Sequence, residues 1–168
     1  IDITAILKWL IEISENCQLH LFSAFALKYL AKYLIERFKD FDTAAGLIGK
    51  YEIMLHRNPL YKFLFYSELG RQYFFEKDND GAYYYLSGIR DIMVPDIYTE
   101  KIDYLIAYLQ VAYQKEQLSL AYRIATEALK LALGRPNYLL EDKVKLYGES
   151  AIGLSNENRL VNALTQYS

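Results

Sequence analysis

Cysteine, proline and glycine are scarce in this chain of 168 residues, and each scarcity excludes a class of protein. Cys17 is the single cysteine, so an internal disulfide and a cysteine-rich metal cluster are both excluded, which is typical of a reducing compartment. Three prolines and eight glycines are too few for a collagen-like or low-complexity chain. We therefore expect a folded protein of the cytoplasm.

An excess of charge of one sign is also missing. Lysine and arginine number 19 against 21 aspartates and glutamates, so the net charge is −2. Without an overall basic field, we expect this chain to make no contact with nucleic acid. Charged residues such as Lys8, Lys28 and Lys62 interrupt every apolar stretch before it reaches the roughly 20 residues of a membrane span, so no membrane partner is expected.

Apolar surface and tyrosine are abundant instead. Apolar residues make up 53% of the chain, and 17 residues are tyrosine. A length of 168 residues suits one domain that spans the whole chain. The first residue is Ile1 and not methionine, and we expect a fragment of a longer protein. The tyrosines indicate either a core that admits hydroxyl groups at its edge or a binding surface, and both interpretations remain open.

Apolar residues recur with a helical period almost throughout, and strand-like alternation is nearly absent. The fold is therefore predicted to be all-α, with about nine helices. The predicted segments are 2–15, 18–39, 43–57, 59–76, 81–93, 96–115, 118–133, 138–154 and a last one that ends at Ser168. Aspartates stand at several of the predicted starts, where a short carboxylate can accept hydrogen bonds from the first backbone N–H groups. The predicted N-caps are Asp2, Asp42, Asp80 and Asp96.

The helices form hairpins that repeat along the chain. In the middle hairpin, Leu69-Gly70 is followed by Tyr73, Ala82, Leu86 and Ile89. Gly70 and Ala82 are predicted to remove side-chain bulk where two helices cross. This spacing resembles the tetratricopeptide repeat, which implies a right-handed solenoid of antiparallel helical hairpins. An unrelated helical bundle is the alternative.

The period of the repeat is longer than the standard one. Ala44, Ala82 and Ala121 occupy equivalent positions and stand 38 and then 39 residues apart. The standard tetratricopeptide repeat has about 34 residues. We therefore expect hairpins of the tetratricopeptide kind with longer helices or turns.

Residue patterns that would support catalysis are missing. His20 and His56 lie in separate predicted helices without a cysteine or carboxylate at the spacing of a metal site or a catalytic triad, so each is interpreted as a solvated or capping residue. The pair Glu12 and Glu15 is interpreted as part of a solvated helix face. The segment 46–49 and Leu69-Gly70 are interpreted as helix crossings rather than phosphate loops. We expect no enzymatic activity, no metal and no cofactor.

The inner face of the predicted solenoid is the candidate binding surface. Stacked hairpins curve, and the first helix of each hairpin lines the concave side. The predicted lining combines cations, amides and aromatic rings, which suits an extended peptide. The candidate ligand-binding residues are Lys28, Lys32, Arg71, Phe74, Phe75, Tyr104, Gln110 and Gln114, with Glu36, Ser67, Lys145 and Glu149 beside them. Ordinary solvated helix positions are the alternative for each of them.

The long period and the composition resemble one group of helical-repeat proteins over most of the chain. The relevant segments are Asn58-Pro59-Leu60-Tyr61 through Tyr83-Tyr84-Tyr85-Leu86, and Tyr98-Thr99-Glu100-Lys101. They resemble the C-terminal peptide-sensing domains of Rgg/RNPP-type quorum-sensing transcriptional regulators. The resemblance implies an N-terminal helix-turn-helix that binds DNA, repeats that dimerise, and a short secreted peptide that binds the concave groove and switches transcription. The helix-turn-helix is not visible in this chain, which would be the sensor part alone.

Two classes of function follow from this reasoning. The first is a ligand-sensing regulatory domain that binds a short peptide. The second is a passive tetratricopeptide-type scaffold or adaptor for protein–protein interaction. A homodimer is expected in either case, because apolar stripes on the first helix and on the segment 161–167 have no following hairpin to cover them. The stripe on the first helix consists of Ile6, Trp9, Leu10 and Ile13.

Overall fold

The computed structural model describes residues 1–93 and 98–134, which form eight helices and no strand. The helices are α1 (Ile3–Asn16), α2 (His20–Phe38), α3 (Phe41–Lys50), α4 (Glu52–Arg57), α5 (Pro59–Phe75), α6 (Asn79–Ser87), α7 (Tyr98–Gln114) and α8 (Leu118–Gly134). The predicted all-α class is confirmed for this part of the chain. The predicted N-cap Asp96, the predicted helix 138–154 and the last segment lie outside the described residues.

The chain divides into two compact units, 1–95 and 96–168. In the first unit, α2 packs against α1, α3 and α5, and α5 also packs against α4 and α6. In the second unit, α7 packs along α8. Every helix in the two described ranges is too short or too polar to cross a membrane. The organisation as one domain stays a prediction.

The core of the first unit is centred on α2 and α5. Leu27, Leu30 and Ala31 of α2 have no exposed surface, as their helical spacing predicts. Phe65 and Leu69 of α5 belong to the same buried cluster. Together these residues remove a continuous apolar surface from water, at about 25 cal/mol per Å².

One of the predicted N-caps is confirmed, and two are wrong. Asp2 caps α1 and accepts a hydrogen bond from the backbone N–H of Ala5 at 3.2 Å. The predicted caps Asp42 and Asp80 are wrong, because Asp40 and Asp78 cap α3 and α6 instead. Both motifs read Asp-x-Asp. The first carboxylate accepts from the N–H group three residues ahead, and the second lies in the first turn, where the helix dipole favours a negative charge.

Two helices end earlier than predicted. The predicted helix 43–57 is split at Tyr51 into α3 and α4, and Gly46 and Gly49 lower the helix propensity just before the break. The helix that begins near residue 80 ends at Ser87 and not at residue 93, with Gly88 as its C-cap.

The turns between helices repeat with the predicted period. Residues with positive φ stand at Lys39 (56°), Lys77 (63°) and Glu116 (57°), which are 38 and 39 residues apart. Each is followed five residues later by one of the equivalent alanines at 44, 82 and 121, all without exposed surface. Gln18 (58°) has the same geometry, with the buried Ser23 five residues on. A left-handed residue thus ends the first helix, and a small buried residue lets the second helix pack closely.

The predicted crossing in the middle hairpin is confirmed. A Cβ atom at Gly70 would lie 2.5 Å from the side chain of Leu86, and Ala82 is fully buried on the facing helix. The corresponding interpretation of Gly46 and Gly49 is wrong, because a Cβ atom at either position would meet nothing within 4 Å.

Candidate functional site

A network of polar side chains joins α2 to α5. The Nε2 group of Gln72 donates to Glu68 Oε1 at 2.9 Å and to Glu36 Oε1 at 3.2 Å. The Nη1 group of Arg71 donates to Glu68 Oε2 at 3.2 Å. On α2, Lys32 Nζ lies 3.8 Å from Glu36 Oε1. Five side chains from two helices therefore form one chain of contacts, which we call the α2–α5 network.

The carboxylate of Glu68 is the buried centre of this network. Its side chain is 2% exposed, and Gln72 is also buried. A buried carboxylate is stabilised only when hydrogen-bond donors and a cation surround it, and here Gln72 and Arg71 supply them. Every buried side-chain polar atom in the described part of the chain has a hydrogen-bond partner. The network thus holds Arg71 on α5 through Glu68, and Gln72 links Glu68 to Glu36 on α2.

The sequence spacing explains why these side chains meet. Glu68 lies three residues before Arg71 and four before Gln72, so all three point to one side of α5. Lys32 and Glu36 have the same spacing of four on α2. Since α2 and α5 pack side by side, the two polar rows are brought into contact.

One aromatic ring lies beside the guanidinium group of Arg71, and a second ring lies next to the first. The Cζ atom of Arg71 lies 5.7 Å from the ring centroid of Phe75, and the rings of Phe74 and Phe75 are 6.1 Å apart. Phe75 is 56% exposed and Phe74 is half-buried. A cation therefore stands beside an apolar ring that solvent or a ligand can reach.

A similar pairing of cation and ring occurs on α2. The Nζ atom of Lys28 lies 5.7 Å from the ring centroid of Phe25 and 5.5 Å from that of Tyr29. Lys28 is one turn before Lys32 on the same side of the helix. The structure thus places three of the predicted cations, Lys28, Lys32 and Arg71, on the two helices that pack at the centre of the first unit.

The remaining predicted site residues differ in exposure. Tyr104 was expected on an exposed face, but it is buried, and its ring lies 5.8 Å from that of Tyr108. The expected exposure of Ser67 is also wrong, because its hydroxyl is buried and donates to the carbonyl oxygen of Leu64. Gln110 is half-buried and Gln114 is exposed, both on α7 of the second unit. The residues Lys145 and Glu149 lie outside the described residues.

Two members of the network were missed by the sequence reasoning. Glu68 and Gln72 were not singled out, although both interrupt the apolar stretch of α5 that includes Leu64, Phe65 and Leu69. Polar residues four apart in such a stretch indicate a shared buried network, because a lone buried carboxylate is strongly unfavourable. That spacing was the available signal.

A second polar cluster joins the end of α1 and the start of α2 to α4. Glu15 Oε1 lies 3.0 Å from His20 Nδ1, and Glu15 Oε2 accepts from Arg57 Nη1 at 2.7 Å. The same Arg57 nitrogen is 2.7 Å from His20 Nδ1. That ring nitrogen can accept from Arg57 or donate to Glu15 but not both at once, so its protonation decides which contact is a hydrogen bond.

The cluster also shifts the ionisation of Glu15. Burial acts against the charged form, but hydrogen bonds from Arg57, Ser23 and His20 outweigh it, so the pKa of Glu15 is lowered from its usual 4.5. Glu15, His20 and Arg57 thus form a structural clasp. The sequence interpretation placed Glu15 on a solvated helix face and took His20 as a solvated or capping residue. His56 differs, because its Nδ1 atom bonds to the backbone carbonyl of Glu52 at 2.9 Å, in the last turn of α4.

A shallow cleft of about 290 Å³ borders this clasp. Its lining includes Glu15 and Arg57 together with the α3–α4 junction at Lys50, Tyr51 and Glu52. The lining contains two cations and two carboxylates, so their charges compensate one another. Among the residues that the structure describes, no group of three or more histidine, cysteine or carboxylate side chains could hold a metal ion.

Comparison of the chain with protein-family models, with curated proteins and with solved structures finds no match. The function is therefore inferred from the geometry of the α2–α5 network and of its flanking rings.

Proposed function

We propose that this chain is a regulatory, ligand-sensing helical-repeat domain that binds a short peptide. In this proposal the hairpins stack as a tetratricopeptide-like right-handed solenoid, and their first helices line a concave groove. The peptide lies along α2 and α5, where Lys28, Lys32 and Arg71 offer cations and Phe75 offers an apolar ring.

The observation that carries the proposal is the setting of Arg71. Glu68 holds the guanidinium from the buried side, and Phe75 stands next to it on the exposed side. A quarter of the Arg71 side chain is exposed, and there a peptide carboxylate would meet it. A pre-positioned arginine loses less side-chain entropy on binding, and such a contact contributes roughly 1.5–3 kcal/mol.

The resemblance to Rgg/RNPP-type sensors supplies the wider setting of the proposal. The domain would be the sensor part of a cytoplasmic bacterial transcriptional regulator, and peptide binding would change the state of a dimer. No catalytic role, cofactor or direct contact with nucleic acid is proposed for this chain. The competing proposal is a passive scaffold for protein–protein interaction on the same fold.

Short synthetic peptides test the binding proposal. Each probe carries a free C-terminal carboxylate and one large apolar side chain, and a matched probe has the same sequence with an amidated C-terminus. We expect saturable binding by fluorescence anisotropy and a rise in melting temperature that grows with peptide concentration, because binding to the folded state alone stabilises it. The amidated probe is expected to bind roughly tenfold more weakly.

The variant for this test must avoid leaving a buried charge without its partner. The double variant Glu68→Gln with Arg71→Ala removes the cation and the buried charge together, and it is expected to lose roughly tenfold or more in affinity for the carboxylate probe. Arg37→Ala removes an exposed arginine of α2 outside the network and serves as the matched control. Equal affinities of both probes, or an equal loss in the control, would contradict the proposal. A passive scaffold predicts no saturable stabilisation by any short peptide.

A further inference from the structure

Helix α1 has two apolar faces, and only one of them is packed. Leu7 and Ile11 contact the core of the first unit, and Ser14 is buried on the same side. The other face carries large apolar side chains that are between 38% and 44% exposed, namely Ile3, Ile6, Leu10 and Ile13. A helix that packs against one layer needs one apolar stripe. The second stripe therefore indicates a second packing partner.

The spacing of the exposed stripe identifies the shape of that partner. The intervals along the stripe are three, four and three residues, which are the a and d positions of two heptads. Side chains with this spacing fit as knobs into the surface of another helix. Trp9 is exposed at the neighbouring g position and widens the stripe. We call these five side chains the α1 seam.

We propose that the α1 seam packs against the α1 seam of a second copy of this chain, antiparallel and around a two-fold axis. The intervals of three, four and three residues are the same in either direction along the helix. Two copies of the seam that run antiparallel therefore match residue for residue. In this arrangement Ile6 lies opposite Leu10 of the partner subunit, and Ile3 lies opposite Ile13 of the partner subunit. One two-fold symmetric interface then covers the apolar side chains of both seams, and two-fold symmetry is the commonest arrangement of homodimers.

Charge favours a second copy as the occupant. No charged side chain occupies an a, d or g position between Ile3 and Ile13, so two copies bring no like charges together. The lysine and the two glutamates of α1, Lys8, Glu12 and Glu15, stand at other heptad positions. An uncharged seam also gives no preference for a partner of opposite charge.

The exposed area of the seam indicates a weak dimer. Counting roughly 150 Å² for each large side chain when fully exposed, the five seam side chains present on the order of 300 Å² of apolar surface on each copy. Each partner of a standard interface buries about 800 Å², so we expect the dimer to form only as the protein concentration rises.

The single tryptophan makes the interface directly measurable. Trp9 is the only tryptophan of the chain and lies in the seam, so its fluorescence reports on this surface alone. In sedimentation velocity of the whole chain, we expect the mass to double with rising concentration. Over the same range the Trp9 emission is expected to move to shorter wavelength, because the ring leaves water.

Two seam variants and one control complete the test. Leu10→Glu, and separately Ile6→Glu, place a charge in the seam and are expected to weaken the dimer roughly tenfold or more while circular dichroism stays unchanged. Ile53→Glu changes an isoleucine of α4 that is 84% exposed, and it is expected to dimerise like the unmodified chain. A monomer at all concentrations overturns the proposal, whether Trp9 emits as an exposed or as a covered ring. A dimer that persists in both seam variants overturns it as well.

Discussion

A Cβ atom at Gly70 would lie 2.5 Å from Cγ of Leu86 and 3.4 Å from the carbonyl oxygen of Ala82. Neither Leu86 nor Ala82 has exposed surface, so neither can move away without disturbing the core. Helices α5 and α6 therefore approach each other at a distance that requires the absence of a side chain at Gly70. Glycine is needed here for space and not for an unusual φ angle, because no glycine in the described ranges has a positive φ.

The variant Gly70→Ala is expected to destabilise the fold by about 1–3 kcal/mol. Alanine improves the helix propensity by about 1 kcal/mol, but the collision with Leu86 outweighs that gain. The control is Gly46→Ala, at an exposed position in α3 where a Cβ atom meets nothing within 4 Å. It is expected to stabilise the fold by about 0.5–1 kcal/mol. Urea unfolding measures both changes, and shifts of the same sign would contradict the crossing.

The helices themselves could be predicted from the sequence, whereas their ends could not be predicted fully. The 3.6-residue period predicts the buried face of α2, which includes Leu27, Leu30 and Ala31. The caps at Asp40 and Asp78 were each misplaced by two residues, because either aspartate of an Asp-x-Asp motif can serve as a cap. Only the backbone geometry decides between the two.

Part of the candidate site could be predicted from the sequence, because the repeat register shows which helices pack together. Lys32 and Arg71 were identified because repeat register places them on the first helices, and the structure does bring those helices together. The buried role of Glu68 was missed, although its spacing from Gln72 within an apolar stretch indicates a buried network. The link from Gln72 to Glu36 on α2 spans 36 positions, and sequence spacing does not reveal it. The clasp between Glu15 and Arg57 joins residues 42 positions apart, and sequence spacing alone does not reveal such a contact.

The clasp is expected to make stability depend on acid pH. The pKa of Glu15 is lowered in the folded chain, since hydrogen bonds from Arg57 and other donors outweigh the effect of burial. Its contribution to stability is therefore fully present above the unfolded value of about 4.5 and is lost as the pH falls through the folded value. Glu15→Gln is expected to remove this part of the decline in the free energy of unfolding between pH 6 and about pH 3.

The matched control for this measurement is Glu12→Gln, which changes an exposed carboxylate of the same helix. We expect it to leave the difference between neutral and acid stability close to that of the unmodified chain. If Glu15→Gln shows the same pH dependence as the unmodified chain, then the clasp does not hold the charged form of Glu15.

Tyr85 is expected to ionise late in an alkaline titration. Its side chain is buried, and burial together with the neighbouring Tyr73, Tyr84 and Tyr66 raises its pKa to about 12. Because the folded value is raised, the contribution to stability is fully present below the unfolded value of about 10 and is lost as the pH rises through the folded value. In Tyr85→Phe, the tyrosinate absorbance titration is expected to lose the contribution of one tyrosine near pH 12. Tyr29→Phe, at a half-exposed tyrosine, is expected to keep it.

The pairing of Arg71 with Glu68 is expected to appear as strong coupling in a double-mutant cycle. Arg71→Ala alone leaves the carboxylate of Glu68 buried with Gln72 as its remaining donor in the α2–α5 network, which should cost about 2–4 kcal/mol of unfolding free energy. Adding Glu68→Gln removes the buried charge and keeps an amide that can bond to Gln72, so most of that loss should be recovered. Arg37→Ala, at an exposed position, should change stability by less than about 0.5 kcal/mol. Additive effects of the two substitutions in urea unfolding would show that the guanidinium does not hold the carboxylate, and the positioning of Arg71 for a peptide would lose its basis.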